Sequence, residues 1–153
     1  MEPPAIIQPV RTADYLEVLS KAVFESGMSW AIVEAKWPGF REAFSGFEPA
    51  TIASYSPDDL DRLMADTRII RNRRKVEATV HNARAMVEIE QKYGGMKPYL
   101  ASLGKFGDTV MALKKRFKHV GDFGAYYFLY VVGEPVPAHH EYRAKLLESG
   151  KKA

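Results

Sequence analysis

The sequence predicts an all-α protein, a single-domain helical bundle. Three observations lead there. Apolar residues recur at spacings of three and four in successive segments. Glycine and proline signals, not long linkers, separate those segments. No convincing pair of alternating strands is found. A chain of 153 residues with 46% hydrophobic residues suits one domain with one core. The expected layout is an extended arm over 1–11, a helical core over 12–133, and a C-terminal helix and tail over 134–153.

The Pro-rich stretch Glu2–Val10 reads as extended. Thr12 is placed to cap a helix through Tyr15, Leu16, Leu19, Val23 and Phe24, which Gly27 ends. A second helix takes in Trp30, Ile32 and Val33, and "KWPGF" is expected to interrupt it, because proline inside a helix removes a donor. Phe40, Ala43, Phe44 and Phe47 form the next apolar stripe. "SPDD" at Ser56–Asp59 is a strong helix start, with a Ser cap, Pro in the first turn and carboxylates at the positive dipole end. The longest helix runs from about Asn72 to Lys92, with Val76, Val80, Ala83, Val87 and Glu90 on one face and "YGG" as its stop. Short helices follow near Pro98–Leu103 and Asp108–Arg116. "HVGDFGAYYFLYVVG" has the β-propensity of a strand. Its length and the basic amphipathic segment before it favour a buried helix. A last helix covers roughly His140–Leu147.

No cysteine is present, which excludes disulfides, zinc–thiolate sites and cysteine nucleophiles. "MEPPAIIQPV" lacks the basic and apolar regions of a signal peptide. No apolar run is long enough to span a bilayer. A cytoplasmic, intracellular protein without a membrane partner is expected. The net charge is only +3, but its distribution is uneven. "RIIRNRRK" (Arg68–Lys75) holds five cations in eight residues and "KKRFK" (Lys114–Lys118) four in five. Together they are candidates to cradle a polyanion; each alone also reads as a solvated helix end.

Between the second cluster and the apolar helix lies a tight turn at Val120-Gly121. A glycine in a helix-to-helix hairpin lets backbone N–H groups approach a phosphate, and the next helix adds its positive N-terminus. Lys118 and His119 flank the turn. Asp122 opposes anion binding there, and a lone Val-Gly between helices is also an ordinary helix stop.

Several blocks in a fixed order carry more weight than any one of them. "SGMSWAIV" (Ser26–Val33), the segment from Phe40 to Ala85 with its "FEP", "IIRNRRK" and "NAR", "LKKRFKHVG" (Leu113–Gly121) and "AYYFLYVVG" (Ala125–Gly133) together resemble the 3-methyladenine DNA glycosylase I family. That family belongs to the helix-hairpin-helix glycosylase superfamily. The resemblance covers about Asp14 to Gly133. It implies an α-helical domain with a helix-hairpin-helix clamp on the DNA backbone. It also implies base-excision repair, in which an alkylated adenine is flipped out of duplex DNA and its N-glycosidic bond is cut. The implied partner is duplex DNA containing alkylated bases, bound by a monomer that is nucleoid-associated when on DNA.

The sequence departs from the family in three ways. The family's zinc site uses Cys and His from both ends of the chain, and part of it and the pocket tyrosines lie in a longer N-terminal segment. With no cysteine, His139 and His140 alone make a poor site, so neither a metal nor a cofactor is expected. The family's pocket glutamate, eight residues before the motif tryptophan, is Ala22 here. Glu25 lies about one helical turn further on and is the tentative catalytic residue, or else an ordinary exposed acid. Glu17 and Glu34 are weaker candidates. Tyr127 stands where the family has a small hydroxyl residue.

The resemblance therefore implies a base pocket of Trp30, Tyr126 and Tyr127, with Met28 as a wedge into the duplex. Lys118, His119 and Gly121 would hold the backbone, and Arg71, Arg73, Arg74 and Lys75 would give electrostatic support. Core packing is the alternative for the tyrosines. Three functions follow: an active DNA N-glycosylase, a catalytically inactive relative that binds damaged or distorted DNA, and a helical protein-interaction module.

Overall fold

The structure is a computed structural model that describes residues 3–150. Among them are nine α-helices, one 3-10 turn and no strand. The helices are α1 (Thr12–Glu25), α2 (Trp30–Ala43), α3 (Pro49–Ala53), α4 (Pro57–Met64), α5 (Arg73–Tyr93), α6 (Met96–Ala101), α7 (Phe106–Arg116), α8 (Asp122–Val131) and α9 (His139–Glu148), with the 3-10 turn at Ser45–Phe47.

Helix α1 is the axis of the bundle. It packs against α2, α3, α5 and α8, and Leu16, Leu19, Val23 and Phe24 are fully buried on it. Each such side chain contributes about 1.5–3 kcal/mol of burial. Its start is held by Asp14, not by a Thr12 cap. The Asp14 carboxylate accepts from the backbone N–H groups of Val10 and Arg11, at 2.9 and 3.0 Å.

Helix α2 corrects the expectation of a break at "KWPGF": it runs unbroken through Pro38. The carbonyl that Pro38 cannot serve belongs to Glu34, an exposed residue, so water can satisfy it. Trp37 and Phe40 on either side are buried and hold the helix down. Trp37 stacks on Phe47 at 5.3 Å and on Phe40 at 4.8 Å, and Phe24 of α1 meets Phe40 edge-on at 4.6 Å. Gly39 is required by packing, because a Cβ there would lie 2.8 Å from the Arg68 carbonyl oxygen. Glu17 of α1 accepts from the Trp37 indole at 2.8 Å and from Arg41, so it is a structural link.

The α4 start is as the sequence predicts: the Ser56 hydroxyl accepts from the Asp59 N–H, and the Asp59 carboxylate accepts from the Ser56 N–H. Helix α5 has the Asn72 side chain as its cap and ends at Gly94, in the left-handed conformation at φ +83°. Its buried face passes through Val76, Ala83, Met86 and Ile89. The predicted Val87 is half-buried and Glu90 exposed. A 3.6-residue helix drifts ~20° per heptad, so seven-residue steps carry Glu90 off the face.

The apolar C-terminal segment is helix α8, with Ala125, Phe128 and Leu129 in the core. Arm residues 3–10 run without regular structure, and the Ile7 N–H donates to the Val131 carbonyl at the end of α8. Helix α9 docks through Tyr142 and Leu146 onto Phe106, Phe123 and Tyr126. No helix among the described residues is long and apolar enough to cross a membrane.

Candidate base pocket and nucleic-acid interface

A cavity of about 500 Å³ opens where the end of α1, the start of α2, the α7–α8 hairpin and α9 converge. Its size lies in the usual range for small-ligand sites. Helix α1 supplies Ala22 and Glu25. The chain then turns through Ser26 and Gly27, where φ of +71° favours glycine and brings Met28 out to the surface. Trp30, half-buried, begins α2 on the cavity wall. Opposite stand His119 and Gly121 from the hairpin and Tyr127 from α8. Trp30 and Tyr127 meet edge to face at 5.4 Å.

Glu25 is the unusual group. It is 4% exposed, not the ordinary exposed acid that its place at a helix end allowed. Both carboxylate oxygens are buried without a hydrogen-bond partner. Burial pushes this carboxyl up to about 7, with the Lys21 ammonium opposing and the Glu34 carboxylate adding to the rise. The same burial, with the charges of Glu25 and Glu34, raises the Tyr127 phenol. A carboxyl in this state gains most from a ligand that brings N–H donors or positive charge. Because its oxygens lie beneath the cavity surface, such a ligand must displace part of the wall. Glu34 itself pairs with Lys21 on the outside.

The hairpin is shaped from beneath by a residue that the sequence marked only as part of "NAR". Asn82 of α5, 1% exposed, grips the backbone of Lys118: its amide donates to the Lys118 carbonyl at 3.1 Å and its oxygen accepts from the Lys118 N–H at 2.8 Å. His119 follows in the left-handed region at φ +60°, then buried Val120, and Gly121 opens α8. Lys118 and His119 themselves are exposed. Although His119 is exposed, partial desolvation by the hairpin lowers its imidazole, and the charges of Lys75 and Arg74 lower it further. The two basic clusters therefore meet at this hairpin. Asp122 is bonded to Lys114 at 3.2 Å, which offsets its charge beside the hairpin.

Two assignments need correction. Tyr126 does not line the cavity. It points to the far side of α8, stacks on Tyr142 at 5.0 Å and donates to the Pro137 carbonyl at 2.7 Å. Adjacent helical residues point ~100° apart, so Tyr126 and Tyr127 cannot share one wall. Lys75 is not on a surface that a phosphate could reach. It is 4% exposed, and its ammonium donates to the backbone carbonyls of Phe24 and Ser26. Arg71 and Arg74 are exposed, while Arg73 is paired with Asp61 and Glu77. Phe123, His139 and Arg143 also line the cavity. "NAR" was the one sequence signal for Asn82; His139 stood out only as a poor metal ligand, and nothing local marked Arg143.

The described residues hold no cluster of three or more His, Cys, Asp or Glu side chains able to bind a metal ion. His139 packs against the rings of Phe123 and Tyr126. This donor set does not fit a zinc site.

Residues 8–115 match the family model described as methyladenine glycosylase. Over 83 residues the chain is 37% identical to DNA-3-methyladenine glycosylase 1 of Escherichia coli K12, covering 49% of this chain and 44% of that protein. Over 67 residues it is 40% identical to DNA-3-methyladenine glycosylase of Haemophilus influenzae, covering 44% and 36%. The matched stretch thus spans less than half the length of these curated relatives. The fold is similar to 3-methyladenine DNA glycosylase I from Staphylococcus aureus, with a TM-score of 0.74 and 29% identity over 83% of this chain and 79% of that one. It is equally similar to a 3-methyladenine DNA glycosylase I in complex with 3-methyladenine, with a TM-score of 0.73 and 28% identity over 83% and 80%. On its sequence match and its helical architecture, the chain belongs to the methyladenine glycosylase family.

Proposed function

We propose that the protein is a DNA N-glycosylase that flips an alkylated, 3-methyladenine-type base out of duplex DNA and excises it. The observation that carries this reading is the buried, unpartnered Glu25 carboxyl beside Trp30 in a cavity bordered by the hairpin. A 3-methylated adenine is cationic. Its entry supplies the positive charge and N–H donors that Glu25 lacks, and the indole of Trp30 offers a face to stack on. Met28, exposed beyond the Gly27 turn, is the wedge that fills the gap in the duplex. Lys118, His119 and Gly121 hold the backbone, with Arg71 and Arg74 as electrostatic support.

In the reaction the bond between C1′ and the base nitrogen breaks and its electron pair stays with the base, which leaves neutral. Water adds to C1′ and releases a proton, giving a free base and an abasic site. The methyl group makes the base a good leaving group, so the protein's task is to unstack, select and orient it. The ion pair between Glu25 and the base stabilises the bound state as well as the transition state, so it supplies selection more than rate. The reading needs no metal or cofactor. In this reading the acting unit is a monomer on cellular DNA.

The test is incubation with methylated duplex DNA and measurement of free 3-methyladenine. Release that falls ~10–100-fold in kcat/KM in Glu25→Gln supports the reading, since a hydrogen bond to a charged group is worth ~1.5–3 kcal/mol. A second reading, a relative that binds damaged DNA and cuts nothing, draws on Ala22, which puts only a methyl on the cavity wall. Tight binding of methylated duplex without release, with Ala22→Glu conferring release, would establish it instead.

A further inference from the structure

We infer that Lys75 is a positioning residue for Glu25: its ammonium holds the backbone carbonyls on both sides of Glu25 and so sets where that carboxylate lies. The inference rests on the proposed role of Glu25. Lys75 sits in the first turn of α5, far from Glu25 in sequence, and its Nζ donates to Phe24 O at 3.0 Å and to Ser26 O at 2.6 Å. These carbonyls close α1, where a helix has no partners of its own for its last oxygens and its dipole favours a cation. The root of the lysine is equally fixed. Its N–H donates to the Asn72 side chain at 3.1 Å, and its carbonyl accepts from the Thr79 hydroxyl at 2.9 Å.

The turn that follows has little else to hold it. Gly27 has a left-handed backbone, Ser26 to Ser29 are exposed, and the Met28 N–H donates to the Glu25 carbonyl. Releasing Phe24 O and Ser26 O therefore frees the end of α1 and the turn together. Lys75 does not line the cavity, so it cannot touch a base or serve as a nucleophile. The Lys75 ammonium is taken up by the Phe24 and Ser26 carbonyls, so the lysine works on Glu25 through the backbone.

Two variants and three readouts test this. Lys75→Met keeps the stem length and removes the donors; Lys75→Arg restores a cationic donor. Single-turnover release of base from methylated duplex is expected to fall at least ~10-fold in Lys75→Met and to recover in part in Lys75→Arg. Affinity for undamaged duplex and its salt dependence are expected to stay as in the wild type. The midpoint of the Glu25 carboxyl titration, followed by 13C NMR, is expected to drop by about one pH unit as water reaches the loosened turn. An unchanged release rate with an unchanged Glu25 midpoint overturns the inference. So does a duplex-affinity salt slope shallower by about one in Lys75→Met, which would make Lys75 a phosphate contact. If the wild type releases no base, the proposed function fails separately, and the Glu25 midpoint alone decides the role of Lys75. Should Lys75→Met not fold, Lys75→Gln, whose shorter amide cannot reach both carbonyls, carries the same readouts.

Discussion

Glu25 concentrates the physics of this protein in one side chain. Its carboxyl is held near 7 in the folded chain, above the ordinary 4.5. A folded-state value above the unfolded one means that the native state holds the proton more tightly. The contribution to stability is fully present below about pH 4.5 and is lost as pH rises through 7. The loss amounts to about 3 kcal/mol, because each pH unit of difference is worth ~1.4 kcal/mol. Glu25→Gln removes this penalty. Urea titrations are expected to show the variant more stable than the wild type at pH 8, by up to that amount, with the gap closing by pH 4. A wild type that gains stability between pH 5 and 8 relative to the variant would contradict the burial of this carboxyl. The same substitution is expected to weaken the proposed excision, so in that reading one residue trades stability for selection of a cationic base. Lys75 shows the complementary case: five cations in eight residues read as one basic patch, yet the last of them turns inward to hold carbonyls, and composition cannot distinguish the two.

At the scale of elements, the site is assembled by tight approaches between helices. Helix α2 carries Trp30 and is held against the Arg68 segment at Gly39. Gly39→Ala places a Cβ 2.8 Å from a backbone oxygen that has no rotamer to escape into. It is expected to destabilise by ~1–3 kcal/mol in chemical denaturation, the usual cost of overpacking. The hairpin is set by Asn82. Asn82→Ala leaves the Lys118 N–H and carbonyl without their partner, which costs ~1–3 kcal/mol if they stay unsatisfied. It is expected to lower duplex affinity as well as melting temperature, because the loop that presents Lys118, His119 and Gly121 loses its anchor. Helix α2 also shows how local and global signals compete. Pro38 is a sound reason to expect a break, but the burial of Trp37 and Phe40 outweighs one missing hydrogen bond on a solvated face.

On the whole molecule, Arg74 from one basic cluster and Lys118 from the other come to the same hairpin. Arg74, from the start of α5, acts on His119 in the hairpin, whereas Arg73 and Lys114 are occupied by acids. Duplex binding is therefore expected to weaken with salt at a slope near −0.9 per phosphate contacted. Lys118→Ala and Arg74→Ala should each make the slope shallower by about one in fluorescence titrations at several salt concentrations, and Arg73→Ala should not. A salt-independent affinity would leave the protein-interaction reading in place of DNA binding.

The all-α class, the Ser56 capping box, the extent of α5 and the nature of the α8 segment were legible from the sequence, because each depends on periodicity or on residues within one turn of one another. Blocks whose order and spacing resemble a glycosylase family also drew attention to Ala22, Glu25, Trp30, His119, Gly121 and Tyr127, which line one cavity. Tertiary structure alone decided which of those residues meet. It turned Tyr126 away from Tyr127, brought Lys75 to the end of α1, placed Asn82 under the hairpin and set His139 and Arg143 beside the cavity. It also buried Glu25, which as a sequence feature was one more acid near a helix end. These outcomes depend on contacts between residues 11 to 51 positions apart, and a hydrophobic pattern records only that a face is covered, not what covers it.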